Sequence, residues 1–330
     1  MLNSDIKVSI ICAAYNHEKY IAKTLESFVK QKTNFKFEVI CHDDASNDDT
    51  AKIILEFQKK YPQIIKPIIQ SENQYSKGKS VSWIMYEQAQ GKYIAMCEGD
   101  DYWIDENKLQ KQFDYMETHS NCTMCFTNAI IENQENGEKR IFIPYTDKDE
   151  AVFLAEQEIY EFKDLWKLSA IPTASIFFPK KNLYQTPESF RLKGCPKGDL
   201  RMRMYFTGMG YAYFINETMC LYRAAVPGSA TTRWRVSSKK ESLKRAESIL
   251  EMFDDVDEFF EYKYSETIDK FRENEIYDII VNSSSLLVLR EEKNRKVFSS
   301  LSFKKKIVTL VKIITPDKVL HKLRQMKVRE

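Results

Sequence analysis

Glu98-Gly99-Asp100-Asp101-Tyr102-Trp103 is the stretch on which the reading of this chain turns. It follows Tyr93-Ile94-Ala95-Met96-Cys97, an apolar run short enough to be a buried strand. Carboxylates at positions 98, 100 and 101, set where a strand leaves a core, repel one another. A cation or several hydrogen-bond donors must offset that repulsion. Hard oxygen ligands suit Mg2+ or Mn2+, ions that commonly share their coordination between one or two carboxylates and substrate phosphates. The alternative is that these acids only cap the helix that follows.

Upstream, Val8-Ser9-Ile10-Ile11-Cys12-Ala13-Ala14 is nearly all apolar, as a strand covered on both faces requires. Tyr15-Asn16 ends it, with Asn16 expected as a helix cap, and Ile21, Leu25 and Phe28 predict an amphipathic helix over residues 17–32. Phe37-Glu38-Val39-Ile40-Cys41 is a second strand. It breaks at His42-Asp43-Asp44-Ala45-Ser46-Asn47-Asp48-Asp49, where Ser46-x-x-Asp49 has the form of a capping box for a helix carrying Ile53, Ile54, Phe57 and Tyr61. Residues 64–69 predict a third strand, at a sheet edge because of Pro67, and residues 79–90 a helix ended by Gly91. Strand and helix alternating in this way predict a parallel sheet with helices on both faces. In such sheets ligands bind beyond the carboxyl ends of the strands. Here those ends deliver Tyr15-Asn16, Asp43-Asp44 and the acids at 98–101. Capping accounts for either acidic cluster better than for both.

Downstream, the pattern predicts a helix over 107–119, a strand over 122–131, a polar loop or hairpin over 132–150 and a strand over 171–178. Lys193-Gly194-Cys195-Pro196-Lys197-Gly198-Asp199 then places Asp199 at the start of a helix, whose N-terminus favours an anion; a plain cap is the alternative. Residues 237–298 read as helical and without chemistry. Residues 304–329 set Ile307, Leu310, Val311 and Ile314 among basic side chains, the pattern of a segment that lies on anionic lipid or packs as a terminal helix.

Composition excludes several classes. The chain has 330 residues, enough for a sizeable core, and its 13% aromatic content argues against disorder. No apolar run approaches the ~20 residues of a membrane span, and no signal-like start precedes residue 8. Seven cysteines, an odd number and several in expected strands, suit buried thiols in a reducing cytoplasm; Cys122-x-x-Cys125 has no second pair to complete a zinc site. Net charge is +2, but residues 301–330 carry nine Lys/Arg against Asp317 and Glu330, leaving the body acidic, which is unlike a nucleic-acid binder. No glycine-rich dinucleotide fingerprint, P-loop or His-Glu-x-x-His motif occurs.

Residues 6–120 closely resemble family 2 glycosyltransferases of the GT-A nucleotide-sugar-binding fold. The resemblance rests on the strand ending in Tyr15-Asn16, the helix with Phe28 and Gln31, Asp43-Asp44-Ala45-Ser46, and residues 91–103. It implies an α/β fold with a mostly parallel central sheet flanked by helices. It also implies a donor-binding part (1–120), an acceptor and catalytic-base part (121–235) and a helical extension with a basic tail (236–330). By resemblance, Glu98, Asp100 and Asp101 stand at the Asp-x-Asp motif, Asp100 and Asp101 holding ribose and the Mn2+ or Mg2+ on the diphosphate. Asp44 would bind the nucleobase, with Ala13 and Tyr15 beside it. Asp199 would be the catalytic base, and Arg223 a diphosphate contact where Ala225 replaces the family's histidine. Gln74, Lys77 and Lys79, in a polar loop before the third helix, either cover the nucleotide or stay solvated. The implied reaction is inverting transfer of a hexose from a UDP-sugar to a saccharide or lipid-linked acceptor, by a cytoplasmic protein peripheral on the cell membrane. A sugar nucleotidyltransferase and an inactive nucleotide-sugar-binding scaffold are the competing readings. The first would need a basic, glycine-rich loop where Tyr15-Asn16-His17-Glu18 stands.

Overall fold

The structure, a computed structural model, describes residues 5–143, 157–168, 170–192, 195–316 and Val319. The chain divides into two compact units: the first runs through Ala224 except for Cys195–Lys197, which go with the second.

The first unit is one mixed sheet with flanking helices. Its strands are β1 (Ile6–Ala14), β2 (Lys36–Asp43), β3 (Ile65–Ile69), β4 (Tyr93–Met96), β5 (Tyr102–Trp103), β6 (Cys122–Asn133), β7 (Lys139–Ile141), β8 (Ile159–Tyr160), β9 (Phe177–Pro179) and β10 (Tyr211–Ala224). The helices are α1 (Ile21–Val29), α2 (Thr50–Lys60), α3 (Val81–Gln88), α4 (Lys108–Thr118), α5 (Asn182–Gln185), α6 (Glu188–Leu192) and α7 (Gly198–Met209). Strand order is β3-β2-β1-β4-β9-β6-β10-β5, with β7 on β6 and β8 on β10. The first four are mutually parallel, so the ends of β1, β2 and β4 open on one edge. β9 runs antiparallel to both β4 and β6, while β6 and β10 are parallel.

The apolar runs account for this order. Val8, Ile10, Cys12, Val39, Cys41, Ile94 and Ala95 have no exposed surface, as central parallel strands require. Pro67 sits on the edge strand β3, where a missing N–H costs no ladder bond. Residues 132–141 form the expected hairpin, β7 folding back on β6; residues 144–150 of that expected loop lie outside the described residues.

Three local expectations are corrected. Asn16 is not a helix cap: it holds a left-handed φ of 56°, its side-chain oxygen accepts the Asn47 N–H at 2.9 Å, and α1 starts only at Ile21. Ser46-x-x-Asp49 is not a capping box, because the Ser46 hydroxyl donates to Asp43 Oδ1 at 2.5 Å and Asp49 makes no side-chain cap. Of the strand expected over 171–178, only the end is extended: Thr173–Ser175 is a 3-10 turn leading into β9.

The second unit is helical, with α8 (Ala230–Arg235), α9 (Lys239–Phe259), α10 (Ser265–Asn282), α11 (Glu292–Ser300) and α12 (Phe303–Ile314). Ile276, Ile280, Val297 and Ile313 form a buried cluster joining α10, α11 and α12. Ser238 opens α9 with a full capping box closed by Glu241. Of the expected basic segment, residues 317, 318 and 320–329 lie outside the described residues.

Candidate functional site

The acidic stretch is built onto the end of β1. Cys97 N–H donates to Ile11 O at 3.1 Å and Gly99 N–H to Ala13 O at 2.8 Å, so the chain leaving β4 stays alongside β1. A side chain at Gly99 would put Cβ 2.8 Å from His17 Nδ1 and 3.0 Å from Ala14 Cβ, a fit that only glycine allows. From α1, the Thr24 hydroxyl lies 2.6 Å from Asp101 O and 3.0 Å from Gly99 O, holding the turn between them. Ser27 Oγ accepts the Trp103 N–H at 3.1 Å.

The two residues of β5 then pair antiparallel with Cys220 and Leu221 of β10. This pairing brings in Arg223. Its backbone N–H donates to Asp101 Oδ1 at 2.8 Å, and its guanidinium donates to the carbonyl of Asp100. The guanidinium lies 5.0 Å from the ring of Tyr20 and 4.8 Å from that of Tyr102, where both aromatic faces favour a cation. Ala225, two residues on, holds a left-handed φ of 60°.

Charge is concentrated here. Burial holds the Asp101 carboxyl well above the ordinary carboxylate range, with Asp100 and Glu98 adding to the shift. Burial, with Asp100 adding to it, likewise pushes Glu98 up to about 7. Glu98 Oε2 is sealed from solvent and has no hydrogen-bond partner. His17 Nε2 stands 3.9 Å from Asp100 Oδ2, and burial holds the ring below the ordinary imidazole value despite that neighbour. These are the properties of a site that a cation would relieve. Among the described residues no group of three or more His, Cys, Asp or Glu side chains is arranged as a complete metal centre. The Asp100 and Asp101 carboxylates are hard oxygen donors of the kind that Mg2+ and Mn2+ share with phosphate oxygens and water.

Of the remaining expected residues, the structure sets Ala13 against the acidic stretch and leaves Tyr15 just past β1 with 44% of its surface exposed. Asp44 is buried at the end of β2. Its two carboxylate oxygens accept the N–H groups of Gln74 at 2.7 Å and Tyr75 at 3.1 Å, tying down the turn that precedes Lys79. Lys79 is exposed, its N–H donating to Gln74 O at 3.2 Å. Asp199 lies in the first turn of α7, 3.5 Å from the buried guanidinium of Arg203 one turn on, and its charge reaches Glu98. Gly194, upstream of it, is outside the described residues.

Thr24, His17 and Arg203 were not foreseen. Thr24 left a trace: it is a polar residue one turn from Ile21 on the face that Leu25 and Phe28 bury. Arg203 also left a trace, four residues after Asp199 in one helix; His17 acts through a contact far along the chain, to Asp100, that no local pattern marks.

Comparison with known proteins agrees with this fold. The model of the family described as glycosyl transferase family 2 matches residues 9–181. The putative teichuronic acid biosynthesis glycosyltransferase TuaG of Bacillus subtilis is 25% identical over 240 residues, 72% of this chain and 87% of that protein. The UDP-Glc:alpha-D-GlcNAc-diphosphoundecaprenol beta-1,3-glucosyltransferase WfaP of Escherichia coli is 39% identical over 126 residues, 38% of this chain and 47% of that protein. An uncharacterized protein of Mycobacterium bovis is 40% identical over 139 residues, a match spanning 39% of its own length. Among solved structures, S. aureus TarS 1–349 in complex with UDP-GlcNAc superposes with a TM-score of 0.57 at 16% identity, covering 98% of this chain and 92% of that one. The mannosyltransferase PcManGT of Pyrobaculum calidifontis, in complex with GDP-Man and Mn2+, gives 0.56 at 12% identity, covering 99% and 89%. At these identities the structural likeness speaks to the fold.

Proposed function

The chain belongs to glycosyl transferase family 2, and from that membership we propose that it moves a hexose from a UDP-sugar to a hydroxyl of a saccharide or lipid-linked acceptor in surface polysaccharide synthesis. The observation that carries this reading is the meeting of Glu98, Asp100, Asp101 and Arg223 beyond the parallel strands β1, β2 and β4. A UDP donor is supported by the UDP-GlcNAc complex of TarS and by the UDP-Glc for which WfaP is named. The acceptor class is supported by the diphosphoundecaprenol-linked GlcNAc in that same name. Buried thiols at Cys12, Cys41, Cys97, Cys122, Cys125 and Cys220 support a reducing, cytoplasmic setting.

In this reading Asp100 and Asp101 hold a divalent cation, which when bound offsets the charge of the departing nucleoside diphosphate. Arg223, whose backbone N–H holds the Asp101 carboxylate and whose guanidinium holds the Asp100 main-chain carbonyl, fixes the acidic turn and adds positive charge beside the diphosphate. Asp44, with Ala13 and Tyr15 flanking, borders the base, and Lys79 covers the phosphates from the loop that Asp44 anchors. Asp199, half-exposed in the first turn of α7 and 3.5 Å from Arg203, takes the proton of the acceptor hydroxyl as general base. Attack opposite the leaving group inverts the anomeric centre.

Calorimetric titration of UDP and of GDP, each with Mn2+ and then with EDTA, tests the reading on wild type and Asp101→Asn. Metal-dependent UDP binding that the variant loses is the expected result. Preference for GDP would move the donor to a GDP-sugar, the kind that PcManGT binds in its complex. Failure of both nucleotides to bind with metal present would overturn the transferase reading.

A further inference from the structure

Helix α12 is held in its unit by one side only. Ser302 caps its start by accepting the Lys305 N–H. Ile313 is buried in the cluster with Ile276, Ile280 and Val297, and the Thr309 hydroxyl lies 3.4 Å from the Tyr277 hydroxyl of α10. At its other end the buried ammonium of Lys239 donates to the carbonyls of Lys312, Ile313 and Thr315, each at 2.9 Å. These are carbonyls that a helix C-terminus leaves without intrahelical partners, and a cation there also complements the helix dipole. The clasp fixes which way α12 faces.

The opposite side carries Phe303, Ile307, Leu310, Val311 and Ile314, all exposed, Phe303 to 80% and Ile314 to 66%. At 100° per residue these five span one arc, with Lys304 bordering it on one side and Lys306 on the other. Lysines so placed can lay their apolar stems on a hydrocarbon surface and keep their ammonium groups in the polar layer. No acidic residue interrupts α12, and the sequence beyond it adds Lys318, Lys322, Arg324, Lys327 and Arg329. Among the described residues no helix is long and apolar enough to cross a membrane.

We propose that this face of α12 lies in the surface of an anionic lipid bilayer, its apolar arc entering the acyl boundary and its lysines pairing with lipid phosphates. An apolar arc and a basic border are the two contributions that together hold a helix on such a surface. A second copy of this chain would meet the same lysines with its own, which argues for an anionic partner.

The test is co-sedimentation of the full chain with vesicles of phosphatidylglycerol and phosphatidylcholine, compared with phosphatidylcholine alone. Binding to the anionic vesicles that falls as salt rises is expected, with a loss of roughly fivefold for each of Lys304→Gln and Lys306→Gln. The triple variant Phe303→Ser, Ile307→Ser, Val311→Ser should lose vesicle binding while retaining wild-type helicity and metal-dependent nucleotide binding. That last readout separates this inference from the donor-site reading, which can fail without it. Equal binding by wild type and triple variant overturns the proposal. So does a concentration-dependent dimer, abolished by the triple variant, in a chain that ignores anionic vesicles.

Discussion

Asp199→Asn is the substitution that divides chemistry from binding. The amide keeps the shape and the contact with Arg203 but cannot take a proton. Transfer to acceptor should fall about 10²- to 10⁴-fold while calorimetric UDP affinity stays at its wild-type value. His42 gives a second outcome at this scale. Its Nε2 lies 3.2 Å from the Gln70 side-chain amide, and burial holds the ring below the usual imidazole value of 6.5. The unfolded chain then binds more protons than the folded one as pH falls through 6.5, and folding stability is lost in that direction. Thermal melts from pH 8 to 5 should show a steeper acid-side drop in wild type than in His42→Gln.

Among elements, α1 does more than cover the sheet. Its Thr24 hydroxyl bonds two carbonyls of the acidic stretch. Thr24→Val, close in shape, leaves both without that donor and should cost about 1–3 kcal/mol in urea unfolding, together with weaker metal-dependent UDP binding. The sequence carried β1, β2 and α1 because each has an uninterrupted period: near-continuous apolar runs for β1 and β2, and one buried stripe for α1. The same apolar-then-acidic pattern disclosed Asp44 and the carboxylates at 98–101. It could not disclose β5. Two residues have no period, and Tyr102-Trp103 become a strand only because β10, far along the chain, presents Cys220 and Leu221 to them. The false caps at Asn16 and Ser46 share that origin: their side chains fit the local motif but bond across β1 and β2 instead. Arg223 was visible only through resemblance, and its two bonds to the acidic stretch were not visible at all.

Taken whole, the molecule has a first unit centred on largely buried strands, and a second in which α9 and α10 bury several side chains each but the shorter α11 buries few. In α11 only Asn294 and Val297 are buried, whereas β1 buries most of its length. Native-state hydrogen exchange should therefore find the amides of β1 and β4 opening only with global unfolding, and those of α11 through a smaller local opening. Equal protection of the two sets would contradict that picture.

The pairing of β5 with β10 has a further consequence, for how such a chain can diversify. Once Tyr102 and Trp103 meet Leu221 and Cys220, the acidic stretch and Arg223 form a closed ring of contacts that does not depend on the identity of the hairpin tip between β6 and β7. Grafting a foreign hairpin tip at residues 134–138 should leave UDP affinity unchanged, whereas shifting Cys220 and Leu221 by one position should abolish it.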